Sequence, residues 1–314
     1  MYYFYREQNC LQLIVIMAGV LIGLWYYRRV EGKSAVENFS QSKPYVLKEE
    51  NDVYDSFYID KYDDYFSTDK YNEDDLLTII DKTQPLIKTS VFLDIGCGTG
   101  TLLKSLEDRH YKVFGVDKSA AMIEKARDKL VEGEVVCDDV LRDSMLYENN
   151  TFSHILCTHF TIYEVEDKLT FFRRCFHWLK GGGYFVLHVV DPEKFNKIVP
   201  KSELFDQVKK QKIKKTSMTF DDHVYTNAYE KTTDNDGNDN NNNGKIIQVE
   251  NFTSKNFTRQ NRKTLYMTPK NELLSIVLKC GFLVHSETAY VGGHHIKDED
   301  QSLVIFVKPH CGDV

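Results

Sequence analysis

Val91-Phe92-Leu93-Asp94-Ile95-Gly96-Cys97-Gly98-Thr99-Gly100 decides how this chain is read. An apolar strand ends in an acid and then breaks into three alternating glycines. The amphipathic segment Thr101 to His110 that comes next has helical spacing. A strand, a glycine-rich turn and a helix N-terminus let the backbone approach a nucleoside-type ligand closely. The spacing narrows the ligand. A pyrophosphate fingerprint requires its third glycine at position 101, where this chain has Thr101, and the Gly-Lys-Ser/Thr ending of a phosphate loop is missing. Asp94, just before the glycines, repels a phosphate and attracts a ligand ammonium.

Two further strands carry acids at their ends. Lys112-Val113-Phe114-Gly115-Val116 is a buried strand closed by Asp117, about twenty residues past the glycines, where a nucleotide-type fold holds ribose hydroxyls. Val135-Val136-Cys137-Asp138-Asp139 is a third apolar run ending in acids. A carboxylate there accepts a hydrogen bond from an adenine amino group. The plain alternative is a solvated loop or the cap of a following helix.

These residues, in this order, resemble the Rossmann-like class of S-adenosylmethionine-dependent methyltransferases, and the resemblance runs from Tyr54 to Pro309. It implies that the Asp94-to-Gly100 turn, with Gly96, Cys97 and Gly98, wraps the methionine part of the cofactor. Asp117 would bind ribose, with Lys118 and Met122 beside the adenine and Asp138, then Asp139, as the adenine acids. Trp178-Leu179-Lys180-Gly181-Gly182-Gly183-Tyr184-Phe185-Val186-Leu187 resembles the late helix-turn-strand motif, with Gly181 where many relatives have proline.

The fold expected is α/β, with a doubly wound, mostly parallel seven-stranded sheet, a β-rich insertion after the fifth strand and an N-terminal transmembrane helix. The helix over Glu73 to Thr83 leads into the first strand. Phe152 to Cys157 is the fourth strand, Thr170 to Leu179 the helix after it and Tyr184 to Val190 the fifth strand. Alternation then stops. Residues 192–268 hold β-rich pieces (His223 to Lys231, Ile246 to Asn251, Lys263 to Met267), and the asparagine-rich 234–244 cannot build a core and is expected to be a disordered hairpin tip. Pro269 and Asn271 open a helix to Cys280, and a terminal β-hairpin (Phe282 to Val291, Ser302 to Pro309) completes a methyltransferase domain of residues 54–309, with 310–314 as a tail.

Residues 1–30 form a separate unit. Leu11 to Tyr27 is seventeen residues long, with Gln12 its one strongly polar member. A spanning helix needs about twenty apolar residues, about seventeen at the least. Aromatic residues flank it: Tyr2, Tyr3, Phe4 and Tyr5 before, Trp25, Tyr26 and Tyr27 at its end. Arg28, Arg29 and Lys33 come after it, so the positive-inside bias predicts a single-pass membrane anchor with the catalytic part in the cytosol. A buried core helix is the other reading; a cleavable signal lacks its basic start and small-residue cleavage site. Residues 31–53, polar and carrying Pro44, read as a linker.

The 314 residues are 42% hydrophobic, enough for a core, and carry a formal net charge of −7, which argues against a broad grip on nucleic acid. The basic run Lys209 to Lys215 reads as a solvated face. Seven cysteines without a Cys-x-x-Cys pair point to reduced thiols, not to a disulfide framework or a zinc site. The adjacent His294 and His295 point opposite ways on an extended chain and are read as a turn, so no metal is expected.

Ligands in an open α/β sheet lie beyond the carboxyl ends of the strands. That places the acceptor near the loop Thr158 to Glu164, with His159 as candidate general base and Tyr163 second. His188, ending the fifth strand, joins Tyr58 and Tyr62 as candidate substrate residues. Tyr54, Tyr58, Tyr62 and Tyr65 share one helix face, as packing or as pocket lining. No Asn/Asp-Pro-Pro-Tyr/Phe succeeds the fourth strand, which in this class lowers bases and glutamines as acceptors. The function expected is S-adenosylmethionine-dependent methylation of a small-molecule or lipid-like acceptor at a membrane. The alternatives are a protein or RNA methyltransferase at a membrane, or a catalytically silent cofactor-binding subunit that tethers a partner.

Overall fold

The computed structural model describes residues 43–66, 69–142, 146–190, 215–231, 244–292 and 296–310, with Met17, Leu21 and Pro192 as isolated positions. The chain divides into Met1–Pro44 and Tyr45–Val314. In the first unit Met17 and Leu21 are helical and exposed. The rest of the expected anchor, residues 11–27, lies outside the described residues, as do the tip at 234–243, His294, His295 and the tail from 311 onward. Among the described residues no helix is long and apolar enough to cross a membrane.

The second unit opens with β1 (Tyr45–Glu49), a 3-10 turn (Glu50–Val53), α1 (Ser56–Phe66) and α2 (Asp69–Thr83). Then β2 (Val91–Ile95), α3 (Thr101–Glu107), β3 (Lys112–Asp117), α4 (Ala120–Lys129) and β4 (Glu134–Cys137) alternate. β5 (Phe152–Cys157) passes through a second 3-10 turn (Thr161–Glu164) and α5 (Lys168–Trp178) into β6 (Leu179–Val190). Four strands, β7 (Lys215–Thr219), β8 (His223–Lys231), β9 (Lys245–Ser254) and β10 (Thr258–Tyr266), precede α6 (Lys270–Lys279), β11 (Leu283–Gly292) and β12 (Ile296–Val307).

The central sheet is seven-stranded and mixed, in the order β11-β12-β6-β5-β2-β3-β4. β6, β5, β2, β3 and β4 run parallel, and β12 is antiparallel to both β6 and β11. Continuous apolar runs such as Phe92-Leu93 and Ile155-Leu156-Cys157 are buried because helices cover both faces. Trp178, Phe171, Phe172 and Phe185 fill one side, Leu102, Leu103 and Leu106 the other. Each such side chain contributes about 1.5–3 kcal/mol when fully buried. β6 starts five residues earlier than Tyr184, because Gly182 N–H donates to Lys308 O (2.7 Å) and Lys308 N–H to Gly183 O (2.9 Å), extending the ladder back to the helix end.

The insertion builds a second, five-stranded sheet, β1-β10-β9-β8-β7. Its first member departs from the expected linker: Tyr45–Glu49 pairs in parallel with Thr258–Arg262. The cause is the edge of β10, whose free backbone groups gain partners from an extended segment. Arg259 on β10 fixes the chain between β1 and α1. It donates to both Asp55 oxygens (2.8 and 2.9 Å) and to Val53 O (2.9 Å), and its guanidinium lies over the Phe57 ring at 4.7 Å. Through these contacts α1 is clamped between the insertion sheet and the cleft of the central sheet.

Candidate active site

The cleft lies beyond the carboxyl ends of β2, β3, β4 and β5 and encloses about 1140 Å³, its open mouth included. Its floor is the glycine turn. Gly96 has φ +73°, and a Cβ there would sit 2.5 Å from Thr161 Cγ2. Gly98 has φ +52° and only Met122 Sδ, at 3.9 Å, near its missing Cβ, so the backbone faces open cleft. Gly100 closes the turn against Ala126 of α4.

Asp117 ties this turn to the next strand. One carboxylate oxygen accepts from Gly98 N–H (3.0 Å), the other from Ser119 N–H (2.9 Å). Burial pushes its carboxyl up, and those two N–H groups oppose the shift. Lone pairs remain on both oxygens for a diol. Asp94 is different: it is 3% exposed, lines the cleft and accepts no hydrogen bond from the described residues. Burial, and then the charge of Asp117, push its carboxyl up to about 8.

The two acids after β4 separate. Asp138 N–H donates to Asp117 O (3.0 Å), and its carboxylate lines the cleft. Asp139 is not among the lining residues; it accepts from Leu141 N–H (2.9 Å) and stands 3.6 Å from Lys118 Nζ. Lys118, Met122 and Cys97 line the cleft, and burial, with Asp94 and Asp117, pushes the Cys97 thiol up.

In the loop after β5, His159 lines the cleft with φ +49°, and Phe160 beside it has φ +66°. Two successive left-handed non-glycine residues store strain, as functional loops often do. Burial pushes the His159 imidazole down to about 4, so it is neutral and can accept a proton. Tyr163 does not line the cleft. It is fully buried, donates to Val190 O (3.0 Å) and accepts from Val190 N–H (2.9 Å), closing the end of β6. His188 is also interior, 3.0 Å from Gln301 Oε1 and stacked on Phe160 at 4.3 Å.

The tyrosine face divides between both readings. Tyr62 lines the cleft, as does Tyr54, whereas Tyr58 is 2% exposed and donates to Glu250 Oε1 (3.0 Å). The side chain of Tyr65 lies outside the described residues. Tyr54, expected on the helix face, instead ends the 3-10 turn before α1 and is a hub. Its backbone oxygen accepts from Ser119 Oγ (2.7 Å), its hydroxyl donates to Glu164 Oε1 (2.6 Å), and Lys263 Nζ donates to that hydroxyl (2.5 Å). Lys263 also bonds Glu164 (3.1 Å). Burial alone would raise the Glu164 carboxyl, but Lys263 and Tyr54 outweigh it and hold it below the usual range. Glu164 sits in the same loop as His159 but belongs to no motif, and Lys263 comes from the insertion, so spacing could not join them.

Residues 92–183 match the family model described as "Methyltransferase domain". Across 94 residues the chain is 32% identical to a phosphoethanolamine N-methyltransferase of Triticum aestivum; that match spans 29% of this chain and 18% of the relative. The fold is similar to that of a S-adenosylmethionine-dependent methyltransferase from Clostridium acetobutylicum, with TM-score 0.58 and 15% identity, over 79% of this chain and 96% of that one. It is also similar to the SAM-bound amino pentose methyltransferase CalS10 of Micromonospora echinaspora (TM-score 0.52, 15% identity, 76% and 89%). A third likeness is the sugar N-methyltransferase KedS8 of Streptoalloteichus (TM-score 0.54, 15% identity, 77% and 87%).

Over residues 92–183 the chain is similar to a methyltransferase domain, and it shares the fold of S-adenosylmethionine-dependent methyltransferases, a fold that implies S-adenosylmethionine as the group held in the cleft. The residues present fit that group. An orphan buried carboxylate at Asp94 suits a cationic group, Asp117 keeps acceptor capacity for a diol, and the open side of Gly98 gives backbone access.

Proposed function

We propose that this chain transfers the methyl group of S-adenosylmethionine to a small-molecule or lipid-like acceptor. The observation that carries the reading is the pair Asp94 and Asp117 flanking the glycine turn, one without a hydrogen-bond donor among the described residues and one with lone pairs to spare. When bound, the cofactor supplies a methyl group activated by a sulfonium. Asp94 receives its ammonium, Asp117 its ribose hydroxyls and Asp138 its adenine amino group, with Lys118 and Met122 beside the base. The chain's remaining work is alignment and exclusion of water. Tyr54 and Tyr62 line the cleft, and neutral His159 is the candidate to accept the acceptor's proton. Small acceptors are supported by the names of the wheat and KedS8 proteins, an N-methyltransferase of phosphoethanolamine and one of a sugar.

The setting we propose is a membrane surface on the cytosolic side. Residues 11–27, flanked by aromatics and succeeded by Arg28, Arg29 and Lys33, support an anchor. Recovery of the full chain in the soluble fraction at low salt without detergent would overturn it. Calorimetry tests the cofactor site: Asp94→Ala and Asp117→Ala each weaken S-adenosylmethionine binding, and unchanged affinity in both sinks the assignment. Transfer of labelled methyl groups into fractionated cell extract identifies the acceptor. Cofactor binding without any transfer would instead support the silent tethering subunit.

A further inference from the structure

Four carboxylates line the cleft: Asp94, Asp117, Asp138 and Glu164. The cofactor reading uses the first three. Glu164 stands apart from them, in the 3-10 turn after β5, and reaches the insertion sheet instead of the glycine turn. Its Oε1 is taken by Tyr54 and Lys263. Its side chain is 39% exposed into the cleft, and Oε2 has no partner among the described residues.

A second unused carboxyl lies behind it. Glu250 on β9 is 1% exposed; Oε1 accepts from Tyr58 (3.0 Å) and Tyr225 (2.7 Å), while Oε2 is buried with no partner. The inward face around it is mixed: Phe252 packs on Phe57 and Tyr58, and a run of polar groups lies beside it. Asn227 and Asn261 flank Glu250 in register, Tyr229 and Lys263 flank Gln248, and Asn261 Nδ2 is also unpartnered. A purely structural sheet face buried on α1 would be apolar, since each unsatisfied buried group costs about 1–3 kcal/mol.

The charges around it are shared. Lys263 bonds Glu164 and is held above its usual range by Glu164 and Glu250 against the effect of burial. Asp55 pairs with both Arg259 and Lys48, and Lys118 stands 3.6 Å from Asp139 and also acts on Glu164. Glu164 is thus held below the usual carboxyl range with one oxygen open to the cleft, a setting that favours a cationic group beside it.

Resting on the methyltransferase reading above, we propose that the acceptor is an amine, and that Glu164 receives its nitrogen with Glu250 and Lys263 setting the charge of the wall. The amine arrives as its ammonium, pairs with Glu164 and gives up one proton to water at the mouth. The freed lone pair then forms the new C–N bond while the C–S bond breaks and leaves its electron pair on sulfur, and the methylated nitrogen carries the positive charge. A neutral alcohol would leave the Glu164 carboxylate without a cationic partner, so the wall favours nitrogen.

The test uses the full chain, labelled S-adenosylmethionine and cell extract, half of it treated with an N-acylating reagent that blocks amines. The expected result is loss of at least nine-tenths of the transferred label in the treated half. Glu164→Gln raises the acceptor KM about tenfold or more while cofactor affinity stays within twofold, and Glu164→Asp recovers part of the loss. Glu250→Gln, which keeps an acceptor oxygen for both tyrosines, raises KM by a smaller factor and serves as the second variant if the first does not fold. Undiminished transfer into the acylated extract, with wild-type cofactor binding, overturns the amine while leaving the methyltransferase reading standing. Failure to bind the cofactor, or binding without transfer into either half, overturns both.

Discussion

The two walls of the cleft are built in opposite ways. The wall proposed for the cofactor comes from one stretch of chain, Asp94 to Asp138, in which each acid stands at or next to the end of its own parallel strand and Asp117 is fixed by the backbone N–H groups of Gly98 and Ser119. The opposite wall joins Tyr54, Glu164 and Lys263, residues 110, 99 and 209 positions apart in pairs, through side-chain hydrogen bonds. The first is rigid wherever the strand-turn-helix unit forms. The second exists only when α1, the loop after β5 and the insertion sheet are docked together. Under the proposed function, binding of the cofactor needs only local structure, while the choice of acceptor is left to contacts that can vary without touching it.

The largest effect that separates the walls is expected from Asp117→Ala. It removes the acceptor of two backbone N–H groups and the ribose partner, so calorimetry should show cofactor affinity falling about a hundredfold, worth about 2.7 kcal/mol. Loss of acceptor KM with cofactor affinity intact would show that the walls are not separate. Lys263→Met acts on the other wall. It removes the ammonium bonded to Glu164 and to the Tyr54 hydroxyl, and loss of such charge-assisted bonds costs about 2 kcal/mol, read as a lower denaturant midpoint. An unchanged midpoint would mean the latch contributes nothing to docking the insertion.

Smaller effects sharpen the comparison. Tyr163→Phe should lower stability by about 1 kcal/mol through the lost bond to Val190 and leave kcat unchanged; a large fall in kcat would return Tyr163 to the chemistry. Asp94 should act on stability with a definite sign. Its carboxyl titrates near 3.8 when unfolded and is raised to about 8 in the fold, so between those values the folded chain holds a proton that the unfolded chain has lost. Stability of the cofactor-free chain therefore falls as pH rises through that window. Asp94→Asn should flatten the fall, raising the melting temperature at pH 8 more than at pH 5.

Much of the cleft lining around the glycine turn was legible in the sequence because motif and geometry coincide there. Asp94, Gly96, Gly98, Asp117 and Asp138 all line the cleft, while Asp139, one residue on, turns away to hold Leu141 N–H. The seven-stranded sheet was legible for the same reason, each strand being an apolar run between turns. The acceptor wall was not. Tyr163 looked like a reactive group in a cleft loop, but its hydroxyl is consumed by the backbone of Val190, which only the packing of β6 reveals. His188 likewise ends its strand as expected and then faces Phe160 and Gln301 inside the fold. Lys263 read as the start of a β piece; its meaning comes from a register that sets it beside Gln248 and across from Tyr54. β1 was hidden because its partner strand lies more than 200 residues further along.

The most direct measurement is calorimetric titration of the full chain with S-adenosylmethionine at pH 7 in two buffers of different ionisation enthalpy. With the Asp94 carboxyl raised to about 8 before binding, a cationic group docking on it should expel close to one proton, and Asp94→Asn should abolish that release. Binding with no buffer-dependent heat, or no binding at all, would contradict the assignment of Asp94 and the glycine turn as the cofactor site.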